Sequence, residues 1–179
     1  MKHILLDIIL TAATLNACVD GGIDVSFHPN TELSTPIGTL PDGGLNLSEY
    51  VVSLAEVEPG PITCQQAQSM PVGDHFNHAL VIVVGTNDAS DVHPGTYNVV
   101  LPLAGPTDGG PFAVLGLLDS DGGTIGTGIG GTVTLTQVAS GFSGSVVGSY
   151  SSTLVGADGG TVGAISGAIS APACDLLSP

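Results

Sequence analysis

Gly131-Thr132-Val133-Thr134-Leu135-Thr136 is the stretch that decides the fold. A strand turns successive side chains to opposite faces, so Val133 and Leu135 share one face while Thr132, Thr134 and Thr136 share the other. An apolar face backed by a hydroxyl face marks a half-buried strand. The same pattern extends through much of the chain. β-Branched residues dominate Leu45–Val57, His78–Val84, Thr96–Leu103, Phe112–Asp119, Gly131–Ala139, Phe142–Val155 and Gly160–Ala171, and Gly, Pro, Asn and Asp separate these runs. Cys64 to Gln68 reads as one short helical turn before Pro71. No segment carries a long helical period. The expected fold is all-β: an antiparallel β-sandwich or open barrel of about seven or eight strands.

The tripeptide Asp-Gly-Gly starts at Asp20, Asp42, Asp108, Asp121 and Asp158. Its spacing is irregular, unlike a solenoid repeat. Glycine accepts positive φ and Asp tolerates it. The last three copies fall between expected strands and therefore read as tight turns.

The front of the chain follows other rules. Met1-Lys2-His3 is a short positive start, Ile4 to Leu15 is an apolar run containing Asp7, and Leu15-Asn16-Ala17-Cys18 closes it. The run is shorter than the roughly 20 residues a membrane-spanning helix needs, and it suits the core of a secretory signal. It resembles a bacterial lipoprotein signal peptide, whose last cysteine is acylated and becomes the new N-terminus. Asp7 and Asn16 depart from the usual pattern. The resemblance implies lipidation at Cys18 and attachment to a membrane through that N-terminal lipid. Val19 stands where enteric inner-membrane lipoproteins carry aspartate, which points to the outer membrane. A buried N-terminal helix or strand is the competing reading of the same run. Residues 19–44 hold Gly21-Gly22, Pro29, Pro36, Pro41 and Gly43-Gly44 with little periodicity. The expected organisation is a signal peptide over 1–17, a Gly/Pro-rich tether over 18–44 and a β domain over 45–179.

Lys2 is the only Lys or Arg, against sixteen Asp and Glu, and the formal net charge is −15. Removing residues 1–17 would take away Lys2 and Asp7, leaving fifteen carboxylates and no Lys or Arg. Nucleic acid and anionic lipid are excluded as electrostatic partners, because binding either requires cations. A phosphate or carboxylate substrate would meet no Arg or Lys clamp.

The cysteines are Cys18, Cys64 and Cys174. With Cys18 acylated, an even pair remains in an oxidising compartment. Cys64 and Cys174 then read as a disulfide joining the start of the domain to its end. Two buried thiols are the alternative, while a zinc site wants more ligands at closer spacing.

The end of the chain carries a second resemblance. Gly131 to Thr136, then Phe142-Ser143-Gly144-Ser145, then a Gly-Gly turn, then Gly167-Ala168-Ile169-Ser170-Ala171-Pro172-Ala173-Cys174 resembles the closing strands of a largely uncharacterised group of myxobacterial lipoproteins. There a GTVTLT strand, a GSF strand and a strand ending in A-P-x-C complete the domain. Ile169 stands here where an aromatic residue is usual. The resemblance implies a β fold and a C-terminal disulfide cysteine, and it transfers no catalytic residue.

Candidate chemistry is sparse. His75 and His78 stand beside Asp74 at a turn-to-strand boundary and would make a metal site with His93 if the three converged, but polar residues flanking a strand are the commoner explanation and no such metal site is expected. Asp119-Ser120-Asp121-Gly122-Gly123 opens like a calcium loop. Its sixth and twelfth positions are Thr124 and Gly130 rather than Gly and Glu, so it is not an EF-hand. Asp119 and Asp121, with Asn87, Asp88 and Asp91 from another loop, are weak calcium candidates beside the plainer reading of solvated turns. Glu56 and Glu58 offer paired carboxylates on one strand face. No Gly-x-Ser-x-Gly elbow surrounds Ser143, Ser145 or Ser166. The row Thr132, Thr134, Thr136 resembles the flat Thr arrays of ice-binding proteins, yet Thr is common on solvated strand faces. No catalytic residue and no cofactor is expected. The expected role is a non-enzymatic, lipid-anchored envelope protein that binds a protein or glycan partner or acts structurally. A small extracytoplasmic hydrolase and a calcium-dependent adhesion or glycan-binding module are the alternatives.

Overall fold

The structure, a computed structural model, describes residues 27–42, 45–69, 76–86, 92–101 and 110–175. The strands are β1 (Thr31–Asp42), β2 (Leu45–Val57), β3 (Phe76–Thr86), β4 (Gly95–Val99), β5 (Phe112–Asp119), β6 (Thr124–Gln137), β7 (Ser145–Val155) and β8 (Thr161–Pro172). A short helix, α1 (Cys64–Ser69), lies between β2 and β3. The strands form one sheet in the order β1-β2-β3-β5-β4-β6-β7-β8, curled into a half-barrel. The fold is therefore all-β, and of the two expected architectures the open barrel is the one formed.

Alternation explains the curl. Tyr50, Val52 and Leu54 on β2, Leu80, Ile82 and Val84 on β3, and Ala113, Leu115 and Leu117 on β5 all point to one buried cluster. Tyr97, Val133, Leu135, Val146, Tyr150, Leu154, Ile165 and Ile169 supply the opposite wall. Fully burying a Val, Leu or Ile side chain contributes roughly 1.5–3 kcal/mol, so a concave apolar face gains by folding round onto itself. Two aromatic rings lie over glycines on the neighbouring strand: Phe112 over Gly85 and Tyr150 over Gly167. Gly131 has φ +105°, and a Cβ there would come within 2.0 Å of the Ser151 carbonyl oxygen. It sits where the β6–β7 register shifts. Only glycine accepts both the dihedral and the approach.

Three expectations are corrected. The stretch 18–44 is not all tether, because β1 occupies Thr31–Asp42 and pairs antiparallel with β2 from Thr31↔Ala55 to Asp42↔Leu45. The sheet therefore begins before residue 45. Pro36 and Pro41 hide this strand from a composition reading. Proline is tolerated on an edge strand, and the register shifts between Pro36 and Gly38. The sheet is also mixed rather than wholly antiparallel. β4 runs parallel to β5 at Asn98↔Phe112 and Val99↔Ala113, wedged between β5 and β6, which pair directly further along. Finally, β6 starts at Thr124 rather than Gly131, because Gly126 and Gly128 lie in the ladder although they carry no β signal.

The two edge strands meet at a staggered seam. The start of β1 reaches the end of β8 through a parallel bridge between Ser34 and Ala173. The Cys174 amide donates to the Ser34 carbonyl at 2.7 Å, and the Ser34 hydroxyl donates towards the carbonyls of Ala171 and Pro172. The Ser170 amide donates to Glu32 Oε2. Cys64 and Cys174 form the disulfide, with Cα atoms 5.6 Å apart, and so pin the β2–β3 connection to this seam.

Candidate functional site

The densest set of titratable groups among the described residues lies where β2 ends and β3 begins. Glu56 and His78 belong to these neighbouring antiparallel strands, next to a register shift between Ala55 and Val57. The shift sets the Glu56 carboxylate against the His78 ring, with Oε2 2.8 Å from Nδ1. The other carboxylate oxygen accepts the His28 backbone amide. Partial burial pushes the Glu56 carboxyl up. The His28 amide and the His78 imidazole outweigh that push and hold the carboxyl below the ordinary carboxylate range.

The neighbouring groups are occupied by structural bonds. Asn77 Nδ2 donates to Glu58 Oε1 at 2.9 Å. The Asn30 side chain accepts the Val57 amide at 2.9 Å and donates to the Val57 carbonyl at 2.8 Å. Glu56 and Glu58, expected as a carboxylate pair, thus serve different partners. His78 stands opposite Asp119 in the β3–β5 ladder. The Asp119 carboxylate is turned into its own loop, where Oδ1 accepts the amides of Asp121 (3.0 Å) and Gly123 (2.7 Å).

That clamp bears on the calcium candidates. Asp119 and Asp121 share one turn, closed by Asp119 N to Gly123 O at 2.9 Å with Gly122 at φ +77°. Asp158 repeats the device, accepting the Gly160 amide at 2.9 Å beside Gly159 at φ +81°. These two Asp-Gly-Gly copies are turns, as read from the sequence, while the copy at Asp108 lies outside the described residues. Asn87, Asp88 and Asp91 lie outside the described residues, as do Asp74 and His75. His93 sits before β4, where its backbone amide and carbonyl both bond the Tyr97 hydroxyl. Among the described residues, no group of three or more His, Cys, Asp and Glu side chains converges as a metal site. Cys18 also lies outside them.

The tyrosines line the interior instead. Burial pushes the hydroxyls of Tyr50, Tyr97 and Tyr150 above their ordinary pKa. Ser34 offsets this in part at Tyr50, the His93 backbone does so at Tyr97, and the Glu32 charge adds to it at Tyr150. Sequence reading missed the Glu56–His78 pair and the seam residues Glu32 and Ser34. The eighteen residues between Val57 and Phe76 conceal the β2–β3 register, and the Gly/Pro-rich composition around Glu32 and Ser34 reads as a tether.

Chemically, the Glu56–His78 pair is an acid–base couple, partly open to solvent. Among the described residues no Ser or Thr hydroxyl hydrogen-bonds the His78 ring. No protein-family model, curated protein or solved structure matches this chain.

Proposed function

We propose that this protein is a lipid-anchored bacterial envelope protein, held at the outer membrane by an acylated Cys18, with a half-barrel that binds a protein or glycan partner or acts structurally rather than as an enzyme. The observation that carries this reading is the Cys64–Cys174 pairing. A disulfide belongs to an oxidising compartment, and it leaves Cys18, at the end of a signal-like segment, as the one cysteine for acylation. The non-enzymatic part rests on an interior lined by apolar side chains and tyrosines and on carboxylates engaged in turns and strand pairing. The test is Triton-type phase partition of the exported protein beside its Cys18→Ala variant, with mass analysis of the N-terminal peptide. A lipid mass and a detergent-phase signal that vanish in the variant are expected. Equal aqueous partition of both forms, with no lipid mass, would sink the anchor.

The Glu56–His78 couple is the one observation favouring a hydrolase. Screening ester and glycoside substrates with His78→Ala as the control decides it. Turnover abolished in that variant would replace the binding role.

A further inference from the structure

We infer that the free side of β8 is a self-association edge, on which a second copy of this chain adds its own β8 antiparallel about a two-fold axis at Ser166. The Ser170 amide reaches across to Glu32 on β1, so it points away from β7. In an antiparallel ladder, alternate residues send their N–H and C=O groups to the same side. Ala168, Ser166 and Ala164 therefore present theirs to that side too. Among the described residues β8 has β7 as its ladder partner, and β1 reaches it only from Ser170 to Cys174. Ala164, Ser166 and Ala168 are all exposed.

Such edges are normally blunted by Lys, by inward charge, by a bulge or by proline. β8 carries no charged residue from Thr161 to Pro172, its one proline is its last residue, and its register shift against β7 falls between Thr161 and Gly163, short of Ala164. The edge also reads as its own complement. Gly163-Ala164-Ile165-Ser166 is followed by Gly167-Ala168-Ile169-Ser170. A two-fold axis at Ser166 sets Ala164 opposite Ala168 of the second copy, and the three outward residues of each copy then exchange about six backbone hydrogen bonds. The small outward side chains leave room for that approach.

Charge selects the occupant. A chain of net charge −15 with one basic residue repels its own copies wherever carboxylates face each other. From Ser145 to Ala173 the sole carboxylate is Asp158, in the β7–β8 turn. The Glu32 carboxylate lies against the Ser170 amide, four residues from the axis; within the ladder from Ala164 to Ala168 itself no carboxylate faces its copy.

The test is sedimentation velocity over a concentration series on the full chain carrying Cys18→Ala, so that lipid makes no contribution. A reversible dimer is expected. Ser166→Glu places two carboxylates opposite each other at the axis, and Ala168→Pro removes an edge donor; each should weaken the dimer at least tenfold. Thr96→Glu, on β4, should leave it unchanged. Circular dichroism melts establish that the variants fold. If either variant fails to fold, amide exchange on the parent replaces it: Ser166 and Ala168 protected only at high concentration supports the edge. A monomer at every concentration, a dimer indifferent to both folded variants, or concentration-independent exchange at those amides would overturn the inference.

Discussion

Glu56 shows how much a single residue takes on in a protein with one Lys and no Arg. Its carboxylate ties the His28 backbone and the His78 ring to the end of β2, joining three separate parts of the chain. Burial works against its charge, and its hydrogen bonds more than compensate. Its pKa is therefore lower folded than unfolded. A carboxyl depressed in this way contributes its full stability above the unfolded value and loses it as pH falls through the folded one. Urea unfolding of wild type and Glu56→Gln should consequently differ most above the ordinary carboxylate range. The two should converge on acidification to below it. A stability gap that persists undiminished in acid would show that the charge is not what holds this junction.

At the scale of elements, turns and edges do the specifying. The β5–β6 connection is closed by one carboxylate accepting two amides, with Gly122 taking the positive φ. Asp119→Ala leaves both amides without that partner. A net loss of about 1–3 kcal/mol is expected by chemical denaturation, because hydrogen bonds to a charged group are each worth more than neutral ones. The same substitution tests the calcium reading. If added calcium raises the melting temperature of wild type and the variant abolishes that rise, Asp119 is a ligand as well as a clamp. No rise is expected, because among the described residues no set of three or more carboxylate, imidazole or thiol groups gathers at this turn.

For the whole molecule, the seam governs integrity. A half-barrel leaves its first and last strands to find each other, and here a few hydrogen bonds around Ser34 and Glu32 do so. The Cys64–Cys174 disulfide spans 110 residues and sits on that junction. Replacing both cysteines with alanine should destabilise the fold by about 2–5 kcal/mol, since a long loop is released in the unfolded state. Native hydrogen exchange should rise first at Ser34 and over Ser170–Cys174. An unchanged denaturation midpoint would mean that the junction is closed well enough without the bond.

Much of this was legible in one dimension. Val133 and Leu135 against Thr132, Thr134 and Thr136 announce a strand, because the two-residue period is a property of the local backbone. The bounds of β2 and β5 and the Asp-Gly-Gly turns follow from equally local preferences. An even cysteine pair implied a disulfide through compartment chemistry, without any need for coordinates. β1 was illegible because its prolines and polar residues form a strand only when β2 is beside them. The parallel wedge of β4, the meeting of β1 with β8 and the Glu56–His78 couple were illegible for the same reason. Each depends on which strands become neighbours and in what register, and that is decided by closing one apolar face around a common core.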